Sequence, residues 1–155
     1  MRRHNAGVYL LADWAVNRCG CTVFKEQVSP TANAQHTEAR MDLIVYSPLV
    51  AGAMHVDLTV ISPLSQEALA KGSALHDGVA ADLAARGKVR KYPGTEVFPF
   101  PIEDHGRVGD ASSTVIRMLA PSENPDRGIC ISDLYRDLAN TLQRASADAI
   151  MAAAA

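Results

Sequence analysis

Two apolar runs, Arg40-Met41-Asp42-Leu43-Ile44-Val45 and Met54-His55-Val56-Asp57-Leu58-Thr59-Val60-Ile61, each carry one aspartate inside an otherwise strand-forming stretch. Residues of this kind at this density predict short strands, and period-2 alternation puts each carboxylate on the face opposite its flanking apolar neighbours. Ser47-Pro48 through Gly52 supplies a hairpin connection, so the two acids arrive together at one edge of a sheet. A carboxylate in such surroundings opposes strand propensity and burial alike, and it calls for a cation or a metal ion to offset that cost. Downstream, Ser65 to Lys91 turns to Ala, Glu, Gln, Lys and Leu and closes on Lys88-Val89-Arg90-Lys91-Tyr92. Two lysines one turn apart therefore end a helix and share a face.

The remaining segments fill in around this stretch. Val8, Leu11, Ala12, Ala15 and Cys19 fall at helical spacing, so residues 4–18 predict an amphipathic helix that Gly20 ends. Cys21 to Val28 alternates like a strand near a sheet edge, and Ser29 to Gln35, with Pro30, is a polar loop. The acid-bearing strands are expected over 41–47 and 54–61. Leu75, Val79 and Leu83 at fourfold spacing predict one long helix or two shorter ones over 65–91, and Gly72, Gly78 and Gly87 each weaken it by about 1 kcal/mol against Ala. Pro93-Gly94 stops it. Glu96 to Ile102 is a further strand that Pro99 and Pro101 confine to an edge or a bulge. Asp110 is the expected cap of a helix over 111–120. After Pro121 to Gly128, Ile131, Leu134, Leu138, Leu142 and Ala145 stripe a last helix whose Ala152–Ala155 end should fray. The fold class is thus α/β (α+β): αβββαβ followed by two helices, a mixed sheet with helices packed on it. A doubly wound dinucleotide fold is excluded by the three consecutive strands, and no Gly-rich phosphate loop is present.

Composition narrows the function classes. At 155 residues and 48% hydrophobic, the chain can bury one real core, and a net charge of −2 makes any contact with nucleic acid a local one. Three cysteines (Cys19, Cys21 and Cys130) form neither a disulfide framework nor a zinc clip, which favours a reduced, intracellular setting. No apolar run approaches the ~20 residues that span a bilayer, so no membrane role is expected. With 5% aromatic residues, an aromatic platform for single strands is not expected, and Trp14 and Tyr9 read as packing residues. His36, Glu38, His55, His76 and His105 show no metal-ligand spacing and read mostly as surface residues. Asp13 and Glu26 are further acids that could lie near the pair. The simpler account of Asp42 and Asp57 is an ion pair with Arg40 or His55, and of Arg86, Lys88, Arg90 and Lys91 a solvated cluster at a helix C-terminus.

Taken as an ordered set, Arg-Met-Asp at 40–42, Val-Asp-Leu-Thr-Val at 56–60 and Lys-Val-Arg-Lys-Tyr at 88–92 resemble the PD-(D/E)XK restriction-endonuclease-like superfamily. Within it they are most similar to the restriction-like endonuclease domain of site-specific non-LTR retrotransposon reverse-transcriptase proteins. The resemblance covers residues 4–109, with Phe98-Pro99-Phe100 and Gly106-Arg107-Val108-Gly109 as further matches. Met41 stands where that family has proline. Thr59 stands where many superfamily members have lysine, and in the retrotransposon branch that lysine moves to the following helix, as Lys88 and Lys91 do here. The resemblance implies a nuclease domain over 1–120 with a packed helical extension over 121–155. It implies Asp42, Asp57 and the Leu58 backbone carbonyl as ligands of Mg²⁺ or Mn²⁺, Lys88 and Lys91 as catalytic lysines, and Tyr92, Thr59, Arg40 and Glu26 in support. DNA is the implied partner, with the reverse-transcriptase part of a larger protein beside it, no small-molecule cofactor, and a nuclear location if the chain derives from a retroelement. The chemistry suits these residue types, because two hard carboxylates select Mg²⁺ or Mn²⁺ and a lysine beside them can orient water and stabilise charge. A catalytically inactive fold of the same kind, binding DNA or protein or persisting as a relic, is the alternative.

Overall fold

The computed structural model describes residues 2–28 and 40–154. The expected polar loop at 29–35, His36 and Glu38 lie outside those residues. Helix α1 (Arg3–Cys19) buries Val8, Leu11, Ala12 and Ala15 on one side. Gly20 ends it at φ 69°, a left-handed conformation from which its N–H closes onto the last helical carbonyls. Strands β1 (Thr22–Val28), β2 (Arg40–Tyr46) and β3 (Ala53–Ile61) then form an antiparallel meander. After two helices, β4 (Phe98–Glu103) returns parallel to β3, giving a four-stranded mixed sheet in the order β1-β2-β3-β4. β1 and β4 are its edges, as the alternation of one and the two prolines of the other require.

The segment between β3 and β4 is two helices, α2 (Gln66–Ala70) and α3 (Val79–Lys91). Ser65 caps α2 by accepting the Ala68 N–H at 3.3 Å, and the chain then turns through Gly72 and Gly78 at φ 92° and 79°. Leu75 consequently lies on no helix and is 83% exposed, contrary to the fourfold Leu75–Val79–Leu83 stripe. Its place is taken by Ala80 and Ala81, whose small side chains let α3 lie close on the sheet. Helix α4 (Asp110–Leu119) differs in a detail: Gly109 is the cap residue and Asp110 the first helical one, where its charge still complements the helix dipole. Position 109 has no room for a side chain, since a Cβ there would lie 2.7 Å from the Ala81 Cβ. Helix α5 (Arg127–Ala154) stays helical through the alanines to Ala154. Its buried positions are Cys130, Leu134, Leu138, Leu142 and Ala145, with Ile131 half-buried.

The sheet divides the interior in two. On one face Leu43, Val45, Val56, Leu58, Phe100 and Ile102 pack against α1, α4 and α5 in a single cluster, each side chain contributing about 1.5–3 kcal/mol by burial. Trp14 belongs to this face and donates its indole N–H to the Cys130 carbonyl at 3.1 Å, tying α1 to the start of α5. Tyr9 is half-exposed on α1, with the Lys25 ammonium 4.5 Å from its ring centre. The other face carries a smaller cluster of Met41, Ile44 and Tyr92 beneath the end of α3. His55 is buried at 5% exposure, so it is not the surface residue its sequence context suggests, whereas His76 and His105 are exposed. The three cysteines are free and buried, and burial pushes the Cys19 thiol up to about 12. No described helix is long and apolar enough to cross a membrane.

Candidate active site

The β2–β3 ladder runs from Tyr46↔Ala53 to Leu43↔Val56 and stops one residue short of Asp42 and Asp57. Beyond that point β2 continues against β1, while β3 continues against β4 to Ile61↔Glu103. The two strands part where the acids sit. Asp42 fills the opening: its Oδ2 accepts the Leu58 N–H at 2.8 Å, so a side chain takes the place of the missing ladder carbonyl. The same oxygen lies 3.0 Å from His4 Nε2 in the first turn of α1, and His4 Nε2 also lies 3.2 Å from the Leu58 carbonyl oxygen.

Asp57 is more deeply placed, with a side chain 5% exposed. Its Oδ1 receives the Lys88 ammonium at 2.7 Å, and Lys88 reaches it from the last turn of α3. Its Oδ2 is buried and has no hydrogen-bond partner, a state shared among the described residues by the Thr59 hydroxyl two residues along the same strand face. An orphaned carboxylate oxygen is costly to keep dry, and such atoms mark places where a ligand or ion completes the shell.

The electrostatics differ between the two acids. Burial pushes the Asp42 carboxyl up, but the hydrogen bond and charge of His4, with the Leu58 N–H, outweigh it and hold Asp42 below the usual carboxylate range. For Asp57 burial wins over Lys88, and the neighbouring Asp42 charge adds to it, so Asp57 is held above that range. Each carboxylate acts on the other, which puts them in one site. The hydrogen bond to Asp42 raises His4 to about 9. Lys91 is raised by Tyr92 and by the fields of Asp57 and Asp42, and its Nζ stands 5.0 Å from the Tyr92 ring centre.

Of the residues expected here, Asp42, Asp57, Leu58, Thr59 and Lys88 are brought together, and Lys91 and Tyr92 border them. Arg40 opens β2 and is exposed. Glu26 lies across from Asp42, between the pairs Lys25↔Leu43 and Gln27↔Met41; its φ of 52° is the one positive value at a non-glycine among the described residues. The cations that meet the two acids are His4 and Lys88, rather than the Arg40 and His55 of the simpler account. His4 carried no signal in the sequence, because one histidine in the first turn of an amphipathic helix points nowhere until the helix is docked on the sheet. Among the described residues no three His, Cys, Asp or Glu side chains gather on a point. The donors available to a metal ion are the two carboxylates and the Leu58 carbonyl, and the free Asp57 Oδ2 suits a hard cation.

No family model and no curated protein matches this chain. The site therefore speaks only through its own geometry.

Proposed function

We propose that this chain is a metal-dependent DNA endonuclease domain with a restriction-endonuclease-like αβββαβ core, related to the nuclease part of retroelement reverse-transcriptase proteins. The observation that carries the reading is the buried, unpartnered Asp57 Oδ2 beside Asp42, with Lys88 fixed on the other oxygen of the same carboxylate. Asp42, Asp57 and the Leu58 carbonyl would hold Mg²⁺ or Mn²⁺. Bound there, the ion supplies an acidified water and neutralises charge on the phosphodiester. The chain's own groups do the rest. The Lys88 ammonium opposes the effect of burial on Asp57 and, bonded to Oδ1, leaves Oδ2 to the ion. It also supplies fixed positive charge next to the reacting phosphate, in surroundings where such charge is worth more than in water. Arg86, Arg90 and Lys91, exposed near it, offer further cations to the backbone of the DNA.

A second reading has one observation in its favour. His4 and Lys88 already give each acid a cationic partner, as in a fold that has lost its metal and serves in DNA or protein binding or persists as a relic. The experiment that separates the two is nicking of supercoiled plasmid by the purified chain at low ionic strength, since a net charge of −2 makes binding weak and salt-sensitive. The proposal expects nicking with Mg²⁺ or Mn²⁺, none with Ca²⁺, and loss of nicking in Asp57→Ala. Folded wild-type protein that stays silent with both metals supports the second reading, and equal nicking by Asp57→Ala removes the first.

A further inference from the structure

Resting on the metal site proposed above, we infer that His4 is a ligand of that site, contributing its Nε2 nitrogen to an ion held by Asp42 and the Leu58 carbonyl. Three atoms on three elements converge there: His4 Nε2 is 3.0 Å from Asp42 Oδ2 and 3.2 Å from the Leu58 oxygen. Neighbouring ligands of an octahedral ion with bonds near 2.1 Å are themselves about 3 Å apart, so the spacing is that of a coordination shell as much as of a hydrogen bond. The other ring nitrogen supports the assignment. His4 Nδ1 is 3.2 Å from Asn5 Oδ1, so when an ion displaces the Nε2 proton that bridges to Asp42, an Nδ1–H donated to that oxygen would hold the ring with Nε2 facing the site, the arrangement by which outer partners orient histidine ligands. An ion pair alone is a weak reason to keep the residue, because its side chain is 41% exposed and such pairs contribute little. A cleft of about 650 Å³ lined by Arg2, Arg3, His4, Val60, Ala145 and Ala149 brings solvent to the His4 ring, although the two acids and Leu58 do not line it.

The inference has a consequence for metal choice. An imidazole among oxygen donors shifts affinity from Mg²⁺ towards Mn²⁺. The test is Mn²⁺ titration of the untagged full chain followed by EPR, with pulsed EPR of the loaded protein to detect a bound ¹⁴N, in wild type, His4→Ala and Asp57→Asn. His4 is half-exposed, so its removal spares the core. The expected result is a nitrogen modulation in wild type that is absent in His4→Ala, with Mn²⁺ bound roughly tenfold or more weakly by that variant and its preference for Mn²⁺ over Mg²⁺ narrowed. Mn²⁺ binding that is lost in Asp57→Asn yet shows no nitrogen modulation, or is unchanged in His4→Ala, overturns the role of His4 and leaves the two-carboxylate site standing. Folded wild type that binds no Mn²⁺ overturns both.

Discussion

Lys88 and Lys91 share a face of α3, but the structure separates their work. Lys88 Nζ is 2.7 Å from Asp57 Oδ1, while Lys91 lies against the Tyr92 ring and feels both acids only through their fields. Lys88→Ala should lower nicking by roughly 10² to 10⁴, the range for losing one charge-stabilising or proton-handling group, whereas Lys91→Ala should cost under about tenfold. Plasmid-nicking rates of the two variants check this. The same substitution has a stability signature with a definite sign. Asp57 is held above the usual carboxylate range by burial, and the variant removes the ammonium that opposes this. Lys88→Ala should thus be less stable than wild type at neutral pH, and the gap should close as pH falls through the Asp57 ionisation and the carboxyl becomes neutral.

At the scale of elements, the parting of β2 from β3 makes the site, and the sequence carried much of it. Alternation around Asp42 and Asp57 placed both strands to within a residue or two, and Pro99 and Pro101 marked β4 as an edge. Lys88 was singled out by the resemblance, because its place at a helix end alone reads as part of a solvated cluster. What failed to show was anything set by long-range packing. His4 needs α1 docked over Leu58 before it meets Asp42. Leu75 looked like a core residue until the positive φ of Gly72 and Gly78 broke the segment in two. His55 looked exposed because its apolar neighbours Met54 and Val56 face the opposite side of the strand. Asp110 looked like a cap, but the helix starts one residue earlier, with Gly109 as the cap and packed against Ala81. The turn after β4 gives a prediction at this scale. Gly106 has φ 102°, and a Cβ there would collide with the Ala139 backbone on α5. Gly106→Ala should therefore destabilise the fold by roughly 2–4 kcal/mol, combining a left-handed alanine with overpacking, as read by denaturant unfolding.

For the whole molecule, the decisive contrast is between an acid kept for stability and an acid kept for a ligand. A buried ion pair kept for structure has its remaining lone pairs satisfied, and removing one partner weakens the fold because it strands the other charge. An acid that burial holds above its ordinary range, with one oxygen unpartnered, sets stability against function, as binding sites commonly do. Asn at position 57 keeps the shape and an oxygen for Lys88 while removing the buried charge. The measurement that tests the account most directly is thermal unfolding of wild type and Asp57→Asn at neutral pH, each with and without Mn²⁺. Without metal the variant should melt at the same temperature as wild type or higher. With Mn²⁺ at about 100 times its dissociation constant, wild type should gain about 2.7 kcal/mol, a rise of roughly 5–10 °C for a chain of this size, and the variant should gain little. A variant that melts well below wild type without metal, or that responds to Mn²⁺ as wild type does, would contradict the claim that Asp57 is there to hold a metal ion.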